Sequence, residues 1–155
     1  MKWTKEDLQQ YSEAKEYVDT AIIPLLPFQL SDDANLEHNA FQRDMITLFT
    51  RELEKELTGR VVLTPDFAYL ATADKKTEMD RLHTWVSDIR SQPFSYIFFV
   101  TLDSDWKTRE EELEGTLLWL QSAAFESIKS NELQSFMRSQ VQEITKLIRS
   151  YWKKV

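Results

Sequence analysis

The sequence predicts one three-layer α/β domain, in which a small, mainly parallel four-stranded sheet lies between helices. Three observations predict it. Short apolar runs alternate along the chain with segments whose apolar residues recur at helical spacing, which is the pattern of strand–helix–strand units. The apolar runs lack polar alternation, as do strands covered on both faces. With 155 residues and 42% hydrophobic side chains, the chain is large enough for one core, and no repeat or linker divides it.

Each element has its own signal. Thr4 followed by Asp7 forms a capping box for a helix over 5–17, with Leu8, Tyr11, Ala14 and Val18 on its apolar side. Thr20-Ala21-Ile22-Ile23-Pro24-Leu25-Leu26 is too short for a helix and is broken by Pro24, so it predicts a buried strand that loosens or ends early. After a loop over 27–34, Asn35 caps a helix that runs to Leu57 and is closed by Gly59. Phe41, Met45, Leu48, Phe49 and Leu53 form its apolar side.

The second half repeats the pattern. Arg60-Val61-Val62-Leu63-Thr64 predicts a strand stopped by Pro65, and Asp74 caps a third helix with Met79, Leu82, Val86 and Ile89 on one side. Ser95 to Leu102 forms the third strand. Gly115 interrupts any helix, so Leu117 to Leu120 predicts a fourth strand rather than a helical turn. Asn131 with Gln134 starts the last helix, whose apolar positions from Leu133 to Trp152 form the clearest stripe in the chain. Four strands in the order 2-1-3-4 form a flavodoxin-like or TIR-like arrangement.

Charge and composition exclude several function classes. Residues 1–128 carry 13 basic and 24 acidic side chains, and residues 129–155 carry 6 and 2, within a net charge of −7. Phosphate backbones bind through Lys and Arg, so no nucleic-acid partner is expected. The absence of cysteine removes disulfides, thiolate nucleophiles and cysteine-ligated metals, and it suits a reducing cytosol. The charged opening MKWTKEDLQQ and the short apolar runs predict neither export nor membrane anchoring, so the expected location is cytoplasmic.

Candidate chemistry is sparse. Two glycines leave no phosphate cradle, and no Gly-x-Ser-x-Gly elbow occurs. His38 and His83 have no partner at catalytic spacing and read as structural, and no metal or cofactor is expected. Ligands in open α/β sheets sit beyond the carboxyl ends of strands, which selects loops 27–36, 65–74 and 103–114. These loops carry the pocket candidates Gln29, Asp66, Tyr69, Asp103, Asp105 and Trp106. Asp103-Ser104-Asp105 resembles a magnesium-binding Asp-x-Asp pair, but it follows the third strand and Lys107 stands where phosphatases carry Thr or Val. A solvated acidic turn explains it more simply.

The run from Ala14-Lys15-Glu16-Tyr17-Val18 through Ile22-Ile23-Pro24-Leu25-Leu26-Pro27 and the segment Gly115-Thr116-Leu117-Leu118-Trp119-Leu120 resemble the YpiF-like family. These are small uncharacterised proteins of spore-forming Gram-positive bacteria. The resemblance implies a bacterial, cytosolic origin and carries no catalytic residue across. Two functional expectations follow from the residues. The first is a non-enzymatic interaction or regulatory module that meets a protein partner through an exposed Trp106 and the acidic stretch 110–114. The alternative is a nucleoside or nucleotide site at the strand ends. The sequence does not determine the oligomeric state.

Overall fold

The computed structural model describes residues 1–154. Helix α1 (Lys5–Glu13) opens with Thr4 Oγ1 accepting the Asp7 N–H at 3.1 Å, as the capping pattern predicts, and a short 3-10 turn over 15–17 leads out of it. The remaining elements are β1 (Thr20–Phe28), α2 (Leu36–Glu56), β2 (Val61–Leu63), β3 (Phe67–Leu70), α3 (Lys75–Arg90), β4 (Tyr96–Thr101), α4 (Ser104–Thr108), β5 (Thr116–Trp119), α5 (Ser122–Ser127) and α6 (Leu133–Lys153).

The sheet is parallel throughout, in the order β2-β1-β4-β5, and β3 also pairs with β1. The predicted 2-1-3-4 path is therefore present with one strand added. That strand, β3, occupies four residues of the segment expected to be the loop 65–74. Its four residues bury only Phe67 and Tyr69, too little for an apolar run to reveal. Two further expectations change at the helix ends. Glu132 rather than Asn131 stands at the N-cap of α6, without a side-chain bond, and Asn35 likewise makes no capping bond before α2.

Pro24 does not end β1, for a reason visible in the ladder. Ile22 O accepts from Thr64 N–H and Phe28 O accepts from Ala71 N–H, so even-numbered residues of β1 turn their hydrogen-bonding groups toward β2 and β3. Pro24, which has no N–H to offer, shares that side. The neighbouring chain is interrupted there: Ile22 pairs with Leu63 and Leu25 with Phe67, leaving two residues of β1 opposite the three residues 64–66. The missing donor thus falls opposite the gap between β2 and β3.

Alternation along the strands divides the interior into two cores. Ile22, Leu26, Phe98, Val100 and Leu118 pack with α2 and α6. Ala21, Ile23, Leu25, Phe67, Ile97 and Phe99 face α3 and α4 on the other side. A third, small cluster places Met1 and Val18 over Val62, beneath Tyr11 of α1. The C-terminal end of α6 is tied to the amino end of the sheet. The Trp152 Nε1–H donates to Thr20 Oγ1 at 2.9 Å, and the Arg60 guanidinium lies 4.0 Å from the Trp152 ring while holding Asp19 with two bonds.

Helix α6 is a structural layer rather than a detachable basic tail, and this sets a stability contrast. Ile148 is fully buried against the first core. Ile148→Ala is expected to lower stability by about 2–5 kcal/mol, whereas exposed Arg149→Ala should cost about 1 kcal/mol or less. Urea midpoints of the two variants check the contrast, and equal midpoints would mean an undocked helix. Among the described residues no helix is long and apolar enough to cross a membrane.

Candidate functional site

The crossover direction reverses between β1 and β4, because β2 lies on one side of β1 and β4 on the other. The carboxyl ends of these strands therefore frame a crevice of the kind in which α/β proteins place ligands. Two arrangements meet there, and the residue they share is Asp103.

The first is a closed polar knot. Asp103 caps α4 by accepting the Asp105 N–H at Oδ1, while its Oδ2 accepts the Tyr69 hydroxyl at 2.6 Å and Lys75 Nζ at 3.1 Å. Lys75, in the first turn of α3, lies over the rings of Tyr69 and Trp106, and these two rings meet edge to face. Burial by itself raises the Asp103 pKa, but the bonds from Tyr69 and the Asp105 N–H, with the Lys75 charge, outweigh it and hold the carboxyl below its usual range. Burial first, then the Asp103 charge, push the Tyr69 phenol far above its usual range. Tyr69 therefore stays a donor and Asp103 stays an anion.

The knot has a pH signature. A folded-state pKa below the unfolded value of about 3.9 means that the unfolded chain binds more protons as the solution is acidified, so stability is lost as pH falls through the folded pKa. Asp103→Asn is expected to cost on the order of 1–3 kcal/mol at neutral pH. The gap between variant and parent should close below the ordinary carboxylate range. Urea titrations at pH 7 and near pH 3 measure both values.

Trp106, expected on an exposed loop, is 0% exposed. The segment Asp103–Thr108 folds into α4 because Asp103 caps it, and this turns the indole inward onto Tyr69 rather than out to solvent. A contact surface built on Trp106 is therefore excluded. The exposed apolar side chains at this end are instead Phe28, Leu30 and Leu70, at 52%, 75% and 43% exposure, with Phe28 and Leu70 in register across β1 and β3.

The other sequence candidates divide. Tyr69, Asp103 and Trp106 come together, and Asp105 joins them through its backbone. Gln29 stands apart: its amide binds Asp32 on both sides and Asn39 Oδ1, pinning the turn between β1 and α2. Asp66 lies in the gap between β2 and β3. Its carboxyl is shielded enough to raise its pKa, and Arg43 and Arg51 of α2 oppose that rise.

The second arrangement was not legible as a site in the sequence. A crevice of about 470 Å³ lies between the start of α2 and the β5–α5 connection, with Leu102, Asp103 and Ser104 at one side. His38 Nδ1 is 3.2 Å from Glu126 Oε1, and the same oxygen accepts the Ser122 hydroxyl at 3.1 Å. His38 Nε2 lies 3.1 Å from Gln42 Nε2. In the neutral ring whose Nδ1–H donates to Glu126, Nε2 is bare and accepts from the Gln42 amide N–H. Gln42 Oε1 is then left over. It is buried and unpartnered, and so is the indole N–H of Trp119, another residue lining the crevice.

The order of these bonds limits the chemistry. Activating a serine requires an imidazole between hydroxyl and carboxylate, whereas Glu126 here stands between Ser122 and His38. The one available signal was the helical spacing of His38 and Gln42, which puts both on one face of α2. Glu126 becomes meaningful only once α5 is folded against that face. A larger groove of about 580 Å³ runs between α2 and α6, away from the strand ends, past Leu48, Met137 and Val141. None of the unpartnered polar atoms belongs to its lining. Among the described residues no group of three or more His, Cys, Asp or Glu side chains is placed to hold a metal ion.

Residues 9–152 match the family described as "Protein of unknown function (DUF2487)". The chain belongs to the DUF2487 family. The expected resemblance to YpiF-like proteins agrees, since "Uncharacterized protein YpiF" of Bacillus subtilis (strain 168) is 25% identical over 155 residues, covering 98% of each chain. Among solved structures, a sigma-54 interaction domain protein from Enterococcus faecalis is similar at a TM-score of 0.37 and 9% identity, over 89% of this chain and 99% of that one.

Proposed function

We propose that the chain is a non-catalytic, cytosolic binding module that holds a small molecule in the crevice at the carboxyl ends of β4 and β5. The observation that carries this reading is the crevice itself, about 470 Å³ at the strand ends with His38, Asp103, Trp119 and Glu126 in its lining. The volume lies within the roughly 300–1,000 Å³ typical of small-molecule sites. The position of Glu126 between Ser122 and His38 supports binding over hydrolysis, and the absence of cysteine suits a reducing compartment.

Thermal denaturation across a broad metabolite panel tests the reading. A ligand at one hundred times its Kd adds about 2.7 kcal/mol, a shift of several degrees for a domain of this size. A panel without any shift would count against it. A protein partner is the second reading, favoured by exposed Phe28, Leu30 and Leu70 at the end of β1 and β3. In that case a Phe28→Ser, Leu70→Ser double variant should lose a partner that the parent retains from host extract, and unchanged retention would argue against it.

A further inference from the structure

We infer that the α2–α6 face is where two copies of this chain meet. They pair about a two-fold axis parallel to the helices, so that the acidic side of α2 lies on the basic side of α6 from the other copy. This holds whatever the crevice binds. The carboxyl-terminal ends of both helices lie at the amino end of the sheet, α2 leading through Arg60 into β2 and α6 tied through Trp152 to Thr20. The two helices therefore run the same way. Arg149 Nη2 donates to Glu56 O at 3.4 Å, and equal rise then sets each residue of α2 about level with the α6 residue 93 positions later. Leu48 and Val141, which line the same groove, fit that offset.

Charge on the two helices matches level by level. Asp44, Glu52 and Glu56 are exposed on α2, and Arg138, Lys146 and Arg149 are exposed on α6, at or next to the levels of those three acids. A two-fold axis along the helices keeps every residue at its height and exchanges α2 for α6, so the three carboxylates of each copy come opposite the three cations of the other. An axis across the helices would instead lay α2 on α2, acid against acid. These charges are available. Among the described residues Arg138, Lys146 and Arg149 hold no carboxylate at ion-pair distance, while Asp44 and Glu52 have only Arg43 and Lys55 of their own helix, at 3.5 and 3.8 Å. The groove of about 580 Å³ supplies the apolar part, with Leu48 45% exposed and Met137 and Val141 in its lining. Covering this strip provides attraction, whereas exposed ion pairs add little each and act mainly by fixing the arrangement. Each copy carries a net charge of −7, but charges farther apart than about 8 Å are largely screened at physiological ionic strength, which leaves the close pairs to decide.

Sedimentation velocity of the full chain over a micromolar concentration series tests this. The parent is expected to pass from monomer to dimer as concentration rises. A Glu52→Lys, Glu56→Lys variant should dimerise at least tenfold more weakly, and so should a Lys146→Glu, Arg149→Glu variant, because like charges then face each other. An equimolar mixture of the two variants should regain a dimer. One of them then presents cations on both helices and the other presents carboxylates on both, so only a contact of α2 with α6 of the other copy is restored by mixing. Recovery also shows that both variants are folded. Leu48→Ser, at an exposed site, should weaken the parent dimer without lowering its melting temperature. A parent that stays monomeric throughout the series overturns the inference. So does a dimer that tolerates either charge reversal or Leu48→Ser, or a mixture that remains monomeric.

Discussion

Replacing Trp106 with alanine is expected to destabilise the domain by about 3–5 kcal/mol, the usual range for deleting a buried indole and a large share of a typical domain's stability. The expected size comes from what the ring supports. It is fully buried in the second core, meets Tyr69 edge to face, and forms part of the aromatic surface over which Lys75 reaches Asp103. Losing it would leave a cavity and loosen the charged pair beside it. Trp106→Phe separates these effects. The indole N–H is buried without a partner, so phenylalanine discards an unsatisfied donor while keeping most of the packing. Its cost should be well under half that of alanine. Urea melts of both variants measure this, and equal losses would show that the indole N–H has a partner that matters.

Gly115→Ala is also expected to destabilise the domain, and its effect arises from backbone approach rather than from a cavity. A Cβ at this position would lie 2.7 Å from Ile97 O and 2.7 Å from Phe99 Cε2. Neither neighbour yields easily, since one is backbone of the central strand β4 and the other is a buried ring of the second core. The segment would have to withdraw from β4, straining the pairing that begins with Thr116 against Phe98. Overpacking of this kind costs about 1–3 kcal/mol, and the upper end is expected where backbone is the obstacle. Hydrogen exchange should locate the damage, with amides of β5 losing protection before those of β1. Uniform loss across the sheet would contradict this account. Gly59, by contrast, has a φ of +96° and open space around it, so its substitution strains only its own backbone.

The strands that periodicity revealed were those apolar on both faces. Ile22 to Leu26 and Tyr96 to Val100 are covered by helices on either side, so their sequence is apolar without polar alternation, even across Pro24. Strand β3 is half exposed along an edge, and Pro65 and Asp66 before it look like ordinary turn residues. Its existence depends on β1 extending past Pro24, which local sequence argues against. The site divides in a similar way. Asp103 was legible because an apolar strand delivers it to a loop, but the burial of Trp106 was not, since a five-residue helix capped by one side chain leaves almost no periodic trace. His38 and Glu126 are brought together only by packing between α2 and α5, and spacing along the chain contains no information about that contact.

The split between β2 and β3 also affects how this protein behaves in a crowded solution. A sheet edge is a template on which another chain can add a strand, and the hazard grows with the length of uninterrupted, flat edge. Here the outer edge is divided into pieces of three and four residues, offset by one residue at the gap. The first piece is further occupied where Met1 O accepts the Leu63 N–H. An incoming strand would find no stretch along which it could stay in register with both pieces. Pro24 and Pro65, which make the sequence look unsuited to a sheet, face each other's strands at this gap and thus help to keep neighbouring copies from joining theirs.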